Sequence, residues 1–304
     1  MRMFDIEVEV GSQVEIGGLS VFPITSVNKV GPAFLTGPEA FEAGLIEVSE
    51  LEPPEVPSLA ITNHADVPIL LVEGEMLVGG DQNRTMNVTV LCPPHARIVV
   101  PVSCVEAGRW GMRRTVSESS KHAPGSLRAA KIANLEPRTG TNPSRQSDQG
   151  RVWDEVERQS MAHDVYSGTS ALDDVQEEVE DRIADQLDKV KPLPDQIGVV
   201  CTIGERVIGL DLFDKTSTLD KYLRGIVAGH ALDAQSPVSD SASISAIERF
   251  LALVDASGYD AGKGVGLGEE ILLHGEIAGI GLSYEKCLIH LAAFPTPTSG
   301  VGEE

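Results

Sequence analysis

Two carboxylates flank a glycine where an apolar run ends, and two acids this close together could take part in metal binding or proton transfer. The run is Ile69 to Val72, and the acids are Glu73 and Glu75. Residues two apart on a strand face the same side of a sheet. Paired carboxylates can hold a metal ion or act as a general acid and general base. The alternative is a solvent-facing pair at the rim of a sheet.

The stretch GGDQNR, residues 79–84, offers a compact set of groups that could bind a ligand. Gly79 and Gly80 would let backbone N–H groups approach a ligand closely. Gln82 and Asn83 supply amides, and Arg84 could hold a carboxylate or phosphate through two parallel hydrogen bonds. The alternative is a hairpin whose amides satisfy the backbone of their own turn. The stretch is not a Walker loop, because no Gly-Lys-Ser/Thr follows the glycines.

A thiol and two charged residues follow the β-branched run Arg97 to Val105. Cys104 near Arg109 could have a lowered pKa and act as a nucleophile, with Glu106 as an acid or base. Trp110 could stack on a nucleobase. The alternatives are a buried structural thiol and an ion pair between Glu106 and Arg109. The histidines considered as a base for the thiol are His64, His95 and His122.

A basic pair lies further along the chain, in the segment Ser117 to Lys131. Arg128 and Lys131 are three residues apart, so a helix would place them on one face, where they could bind an anion. A solvated basic face is the favoured alternative. The glycine-rich loop Gly262 to Glu270 is weak evidence for phosphate binding, because it does not lie between a clear strand and helix.

Short strands with frequent turn signals dominate the first part of the chain, and they predict a sandwich-like or barrel-like layer. One of these strands is expected at Thr85 to Leu91, where apolar and polar residues alternate. From Leu172 to Val190 apolar residues recur every three or four positions, which predicts one amphipathic helix ended by Pro192. Strands and helices then mix to the end of the chain, with a strand pair predicted at Ile197 to Ile203 and Arg206 to Leu212 and a helix predicted at Ile244 to Ala256.

This pattern predicts an α+β fold. The β-rich region 1–135 carries the candidate site, the polar segment 136–151 is a flexible linker, and a helical and α/β region covers 152–304. All of it is expected to share one core as one integrated domain.

The charge balance excludes some classes of partner. The chain has 46 acidic and 24 basic residues, a net charge of −22, so it should repel nucleic acid and anionic membranes. No apolar run approaches the roughly 18 residues that span a bilayer. The four cysteines are far apart and suit a reducing cytoplasm. Neither they nor the histidines form a metal motif, so no metal is expected and the cofactor stays unknown.

The motifs EGEMLVGGDQNRTMNVTVLCPP and PVSCVEAGRW resemble a bacterial and archaeal family, the ARG and rhodanese-phosphatase-superfamily-associated proteins. ARG denotes ADP-ribosylglycohydrolase. The softer motifs SLRAAK, VWDEV, HALDA, VGLGEE and HLAAF extend the resemblance over most of the chain. Asp81 stands where the resemblance would suggest a basic residue. The family's genomic neighbours imply ADP-ribose or nucleotide-derived metabolism, and the resemblance assigns no reaction to any residue.

Together these patterns predict a cytoplasmic protein that binds an ADP-ribose-like or nucleotide-derived ligand, and they leave open whether it also hydrolyses that ligand. The expected binding residues are Gly79, Gly80, Gln82, Asn83, Arg84, Arg109, Trp110 and Arg128. The acid, base or nucleophile candidates are Glu73, Glu75, Glu106 and Cys104. The rival hypothesis is a non-enzymatic interaction module in which these motifs are structural. A homo-oligomer is compatible with both.

Overall fold

The structure is a computed structural model, and it describes residues 2–4, 6–27, 31–109, 114–135, 137, 144–234 and 241–296. The strands of the first half are β1 Arg2–Met3, β2 Ile6–Glu7, β3 Glu9–Val10, β4 Val14–Ile16, β5 Leu19–Thr25, β6 Leu35–Thr36, β7 Ile46–Ser49, β8 Ser58–Asn63, β9 Ile69–Leu71, β10 Glu75–Gly80, β11 Arg84–Met86, β12 Val90–Cys92, β13 Arg97–Cys104 and β14 Arg114–His122.

The second half contributes the remaining strands, which are β15 Gln196–Ile203, β16 Arg206–Phe213, β17 Tyr259–Lys263, β18 Glu269–Leu273, β19 Ile277–Tyr284 and β20 Cys287–Pro295. The helices are α1 Gly37–Glu42, α2 Gly125–Ile132, α3 Gln149–His163, α4 Leu172–Arg182, α5 Ala184–Leu187, α6 Thr216–Ala231 and α7 Ile244–Ala256.

The largest sheet joins the two ends of the chain. Its order is β17-β18-β19-β20-β16-β15-β5-β3, with β4 also on β5, and all of these pairs are antiparallel. A second sheet, β14-β10-β11-β13-β8-β7, carries the motifs of the first half, and a small sheet has the order β12-β9-β6. Sheets with helices packed on them make this an α+β, β-rich fold, and that prediction is confirmed.

The helices begin where the chain supplies caps for their free N–H groups. Helix α1 has a capping box in which the Thr36 hydroxyl accepts from the Glu39 N–H and Glu39 accepts from Thr36 in return. The Asp148 carboxylate caps α3. Helix α6 packs on β14, β15 and β16, and α2 packs on β19 and β20. Helix α6 therefore packs against both β14 and the large sheet, and α2 adds a second helix on the large sheet.

Two sequence predictions about single elements are wrong. The expected strand Thr85 to Leu91 is divided between β11 and β12, which belong to different sheets. The alternating pattern misleads because residues 84–92 are all buried, so polar positions do not mark a solvent face. The expected helix Leu172 to Val190 breaks at Ile183, whose backbone is not helical (φ −117°, ψ 15°) and whose side chain packs beside Gly17.

The core draws on both halves of the chain. One cluster combines Leu70 and Val72 with Leu223 and Val227 of α6. The segment just before α3 is anchored to the large sheet, because Arg145 forms an ion pair with the buried Glu270 of β18.

Within the described residues, none of the helices has both the length and the apolar character needed to cross a bilayer.

Candidate functional site

The GGDQNR stretch forms a tight hairpin between β10 and β11. Gly79 and Gly80 have φ angles of +118° and +60°, a region that favours glycine. The Asn83 side-chain oxygen accepts a hydrogen bond from the Gly79 N–H at 2.9 Å. Arg109 donates to the carbonyl oxygen of Gly80 at 2.9 Å. The hairpin is therefore closed by side chains from its own turn and from the loop that follows β13.

Glu106 and Arg109 lie at the centre of this arrangement. Two guanidinium nitrogens of Arg109 donate to the two carboxylate oxygens of Glu106, at 2.8 and 2.7 Å. The Asn83 N–H also donates to Glu106 at 3.0 Å, and the Gln82 amide donates to the Glu106 carbonyl at 2.9 Å. We call Gly79, Gly80, Gln82, Asn83, Glu106 and Arg109 the hairpin cluster.

The environment of Glu106 keeps it ionised. Burial alone would raise the pKa of Glu106, but hydrogen bonds from Arg109, Asn83 and Thr169 outweigh burial and lower that pKa. The same carboxylate is the largest cause of the raised pKa of Arg109. The two residues therefore form a permanent ion pair at neutral pH.

We expect Glu106→Gln to lower the free energy of unfolding by about 1.5–3 kcal/mol, because Arg109 would lose its charged acceptor while staying buried. Urea denaturation would measure the change. The matched control is Glu178→Gln, which removes the exposed acid of a surface pair with Arg182 and should change stability by less than about 0.5 kcal/mol. An equal loss in both variants would contradict a special role for the Glu106 pair.

Arg84 is fully buried, yet part of its guanidinium has no hydrogen-bond partner among the described residues. Its Nε donates to the Val56 carbonyl at 3.1 Å. The nearest carboxylate oxygen, on Glu50, is 4.0 Å from Nη2. Both terminal nitrogens lack a hydrogen-bond partner, as do Oε2 of Glu50 and Oδ1 of Asp81. Burying a charged donor without an acceptor is costly, so these nitrogens are available to an anion or to water.

Cys104 lies directly opposite Arg84 on the neighbouring strand. Burial raises the pKa of its thiol, and the nearby Arg84 only partly offsets that effect. The thiol is 3.4 Å from the Glu106 carbonyl oxygen. Two of the histidines considered as a base bind other groups, since His122 is hydrogen-bonded to the Glu73 carbonyl at 2.8 Å and His95 lies 2.8 Å from the Asp66 carboxylate. These surroundings disfavour the thiolate that a nucleophile requires.

A second group of charged residues is fully buried between α2 and the sheets. Arg128 donates to Glu73 at 2.8 Å and to the two carboxylate oxygens of Asp211 at 2.6 and 3.0 Å. Lys131 lies 3.1 Å from the other oxygen of Glu73. The side chains of Arg128, Lys131, Glu73 and Asp211 have no exposed surface. We call these four residues the buried ionic cluster.

Histidines surround the buried ionic cluster. His290 lies 3.3 Å from Asp211 and its other ring nitrogen is 2.7 Å from the Thr89 hydroxyl. His230 lies 3.8 Å from Asp211. Burial would raise the pKa of Asp211, but Arg128 and the two histidines hold it well below its ordinary value. The side chain of Asp211 is therefore ionised at neutral pH.

Sequence reasoning missed Asp211, His230 and His290. A signal was present, since Asp211 and His290 each interrupt an otherwise apolar strand, β16 and β20. A buried charge in such a strand requires a partner from elsewhere in the fold.

The structure separates the predicted site residues. Six of them form the hairpin cluster, Arg84 and Cys104 lie beside each other, and Glu73 and Arg128 belong to the buried ionic cluster. Glu75 is buried elsewhere and accepts from the Val72 N–H at 3.0 Å. Trp110 lies outside the described residues.

Two local expectations about these residues are wrong. Glu73 and Glu75 do not share a strand, because Glu73 is in the turn that precedes β10 and Gly74 turns the chain at φ +86°. Arg128 and Lys131 do lie on one helix, but they are buried instead of forming a solvated face. The carboxylates that neutralise them are distant in the chain, with Glu73 in the turn before β10 and Asp211 on β16. Among the described residues, no group of three or more His, Cys, Asp or Glu side chains is arranged to hold a metal ion.

The fold and these clusters define an α+β protein whose buried polar residues lie in hairpins, loops, strands and helix α2. The chain belongs to the family of the ARG and Rhodanese-Phosphatase-superfamily-associated Protein domain, whose model matches residues 7–294. The resemblance seen in the sequence motifs is thus confirmed. No curated protein and no solved structure shows significant similarity to the chain.

Proposed function

We propose that the protein binds a small anionic, nucleotide-derived ligand of the ADP-ribose type at Arg84, beside the hairpin cluster. The observation that carries the proposal is the fully buried guanidinium of Arg84, whose two terminal nitrogens have no hydrogen-bond partner among the described residues. A phosphate or carboxylate would satisfy both nitrogens at once. The family's named association with ADP-ribosylglycohydrolases supports a ligand of this class.

The neighbours of Arg84 would shape the rest of the site. Gly79 and Gly80 have no side chains, so the backbone of the hairpin is open to close approach there, and Gln82 and Asn83 present amides beside it. These amides now bond within the hairpin cluster, so binding requires some of them to exchange partners, as side chains at binding sites commonly do. We do not place Arg128 in the binding site, because Glu73 and Asp211 already occupy its donors.

Any hydrolysis of the ligand would fall to Glu106 in this proposal. Arg109 helps keep its pKa low, so Glu106 would act as a base or stabilise positive charge, and it would not donate a proton. Cys104 is too strongly desolvated to be the favoured nucleophile. A cytoplasmic location also belongs to the proposal, supported by four free cysteines.

Thermal unfolding in the presence of ADP-ribose, NAD and AMP tests the proposal. A ligand bound only by the folded protein adds about 2.7 kcal/mol of stability at a hundredfold excess over its dissociation constant. We expect such a shift for the wild-type protein and none for Arg84→Met. Without ligand, Arg84→Met should be at least as stable as the wild type, because it removes an incompletely paired buried charge.

The matched control is Arg97→Met, which changes an exposed arginine on β13 and should keep the full ligand shift. A shift that persists in Arg84→Met would contradict the assignment of Arg84. No shift with any of the three compounds would contradict nucleotide-derived binding.

A second candidate function is a non-enzymatic interaction module, and the closed hydrogen bonds of the hairpin cluster favour it. Gln82, Asn83 and Arg109 all bond to Glu106 or to the hairpin backbone. In this alternative the cluster only stiffens a surface for a partner. It predicts that Glu106→Gln lowers stability while none of the three compounds has any effect on the wild type.

A further inference from the structure

A surface groove is lined by helix α3, the segment 164–170 and Ala107, the residue that follows Glu106. Its volume is about 570 Å³. The floor includes Val156, which is buried, and the walls include Trp153 and Tyr166. The groove is therefore large enough to accept side chains of another molecule.

Large apolar side chains are exposed around this groove. Trp153 is 40% exposed, Met161 71% and Tyr166 94%. Trp153 and Met161 are eight residues apart on α3, with Glu157 midway, so all three lie on one helical face. Single exposed apolar residues are common, but a cluster of them around a concavity marks an interaction site.

The charged residues that line the groove are both acidic. They are Glu157 and Asp164, and both are exposed. Neither takes part in any of the ion pairs formed between the described residues. Among the described residues, no lysine or arginine lines the groove. The groove thus combines aromatic rings with two carboxylates that no ion pair between described residues neutralises, which is complementary to a positive charge carried on an apolar chain.

We propose that this groove is a docking site for a partner protein, and that its occupant is an apolar segment bearing arginine or lysine. The apolar residues of the segment would cover Met161 and Val156, and its cation would lie against Trp153 or Tyr166 with Glu157 and Asp164 as counter-charges. A nucleotide is the wrong occupant, because its phosphates would meet two carboxylates. The groove is thus distinct from the Arg84 site, and the proposal does not depend on ligand binding there.

Calorimetric titration with the blocked peptide Ala-Leu-Arg-Leu-Ala tests the proposal. Saturable binding is expected, and the same peptide with Glu in place of Arg should not bind. The double variant Glu157→Gln with Asp164→Asn should weaken binding by about tenfold, and Trp153→Ala should weaken it similarly. The control double variant, Glu178→Gln with Asp181→Asn, makes the same charge change on the exposed surface of α4 and should bind as the wild type does.

Several results would overturn the proposal. They are no saturable binding of the arginine peptide, equal binding of the glutamate peptide, and equal weakening by the control double variant. The last part of the test is calorimetric titration with free arginine amide. If it binds as tightly as the peptide, the groove is a site for small cations and not a protein docking surface. Circular dichroism of each variant confirms that a loss of binding is not a loss of fold.

Discussion

The substitution Arg128→Met is expected to lower the free energy of unfolding by about 3–5 kcal/mol, because it would leave the buried Asp211 without its arginine counter-charge and Glu73 with Lys131 alone. Arg128 contacts Glu73 and Asp211, and all three side chains have no exposed surface. Methionine fills a similar volume but offers no donor. Denaturation by urea, followed by circular dichroism, measures the loss.

Two comparisons isolate the charge effect. Arg182→Met removes an arginine that is 50% exposed and paired with Glu178 on a helix surface, so it should cost about 0–0.5 kcal/mol. Adding Asp211→Asn to Arg128→Met should recover part of the stability, because the stranded charge becomes neutral. A loss below about 1 kcal/mol for Arg128→Met would contradict the view that the cluster is an essential buried ion pair network.

The second large effect is a loss of stability in acid. Burial, followed by the charge of Arg128, holds the pKa of His122 well below its ordinary value of 6.5. Below about pH 6.5 the unfolded chain therefore binds a proton at His122 that the folded protein does not bind. The free energy of unfolding consequently decreases as the pH is lowered. The slope approaches about 1.4 kcal/mol per pH unit. Asp211 adds to the loss at lower pH, because its folded pKa is also well below the ordinary 3.8.

The variant His122→Gln tests the source of this slope. Glutamine keeps an amide donor for the Glu73 carbonyl but has no group that titrates. We expect its stability to change less between about pH 6.5 and about pH 5 than that of the wild type. The control is His64→Gln, which replaces a histidine whose side chain is 52% exposed. If His122→Gln keeps the wild-type slope, His122 is not its cause.

Local patterns predicted many of the elements correctly. Helix α7 was expected at Ile244 to Ala256 and begins and ends there. The strand pair β15 and β16 follows its two β-branched runs around the turn at Gly204. Such elements are predictable because their apolar periodicity and turn residues act within a few positions of each other.

The candidate site was only partly predictable. A hairpin is the alternative that the sequence leaves open beside ligand binding for Gln82, Asn83 and Arg84, and β10 and β11 form one. Nothing local indicates that Arg128 meets Asp211, which is 83 positions away in the chain. Long-range pairing of buried charges depends on how α2 packs against the large sheet, and a single sequence does not encode that in any short pattern. The same is true of the bond from Thr169 to Glu106.

The most direct test of the central claim is calorimetric titration of ADP-ribose into the wild-type protein and into Arg84→Met. We predict a saturable, one-site isotherm for the wild type and for Arg97→Met, and no measurable heat of binding for Arg84→Met despite an intact fold. Equal binding by wild type and Arg84→Met would contradict the assignment of Arg84, because the proposal is based on its two terminal nitrogens, which have no hydrogen-bond partner among the described residues. Absence of binding by the wild type would contradict ADP-ribose as the ligand and favour the interaction module.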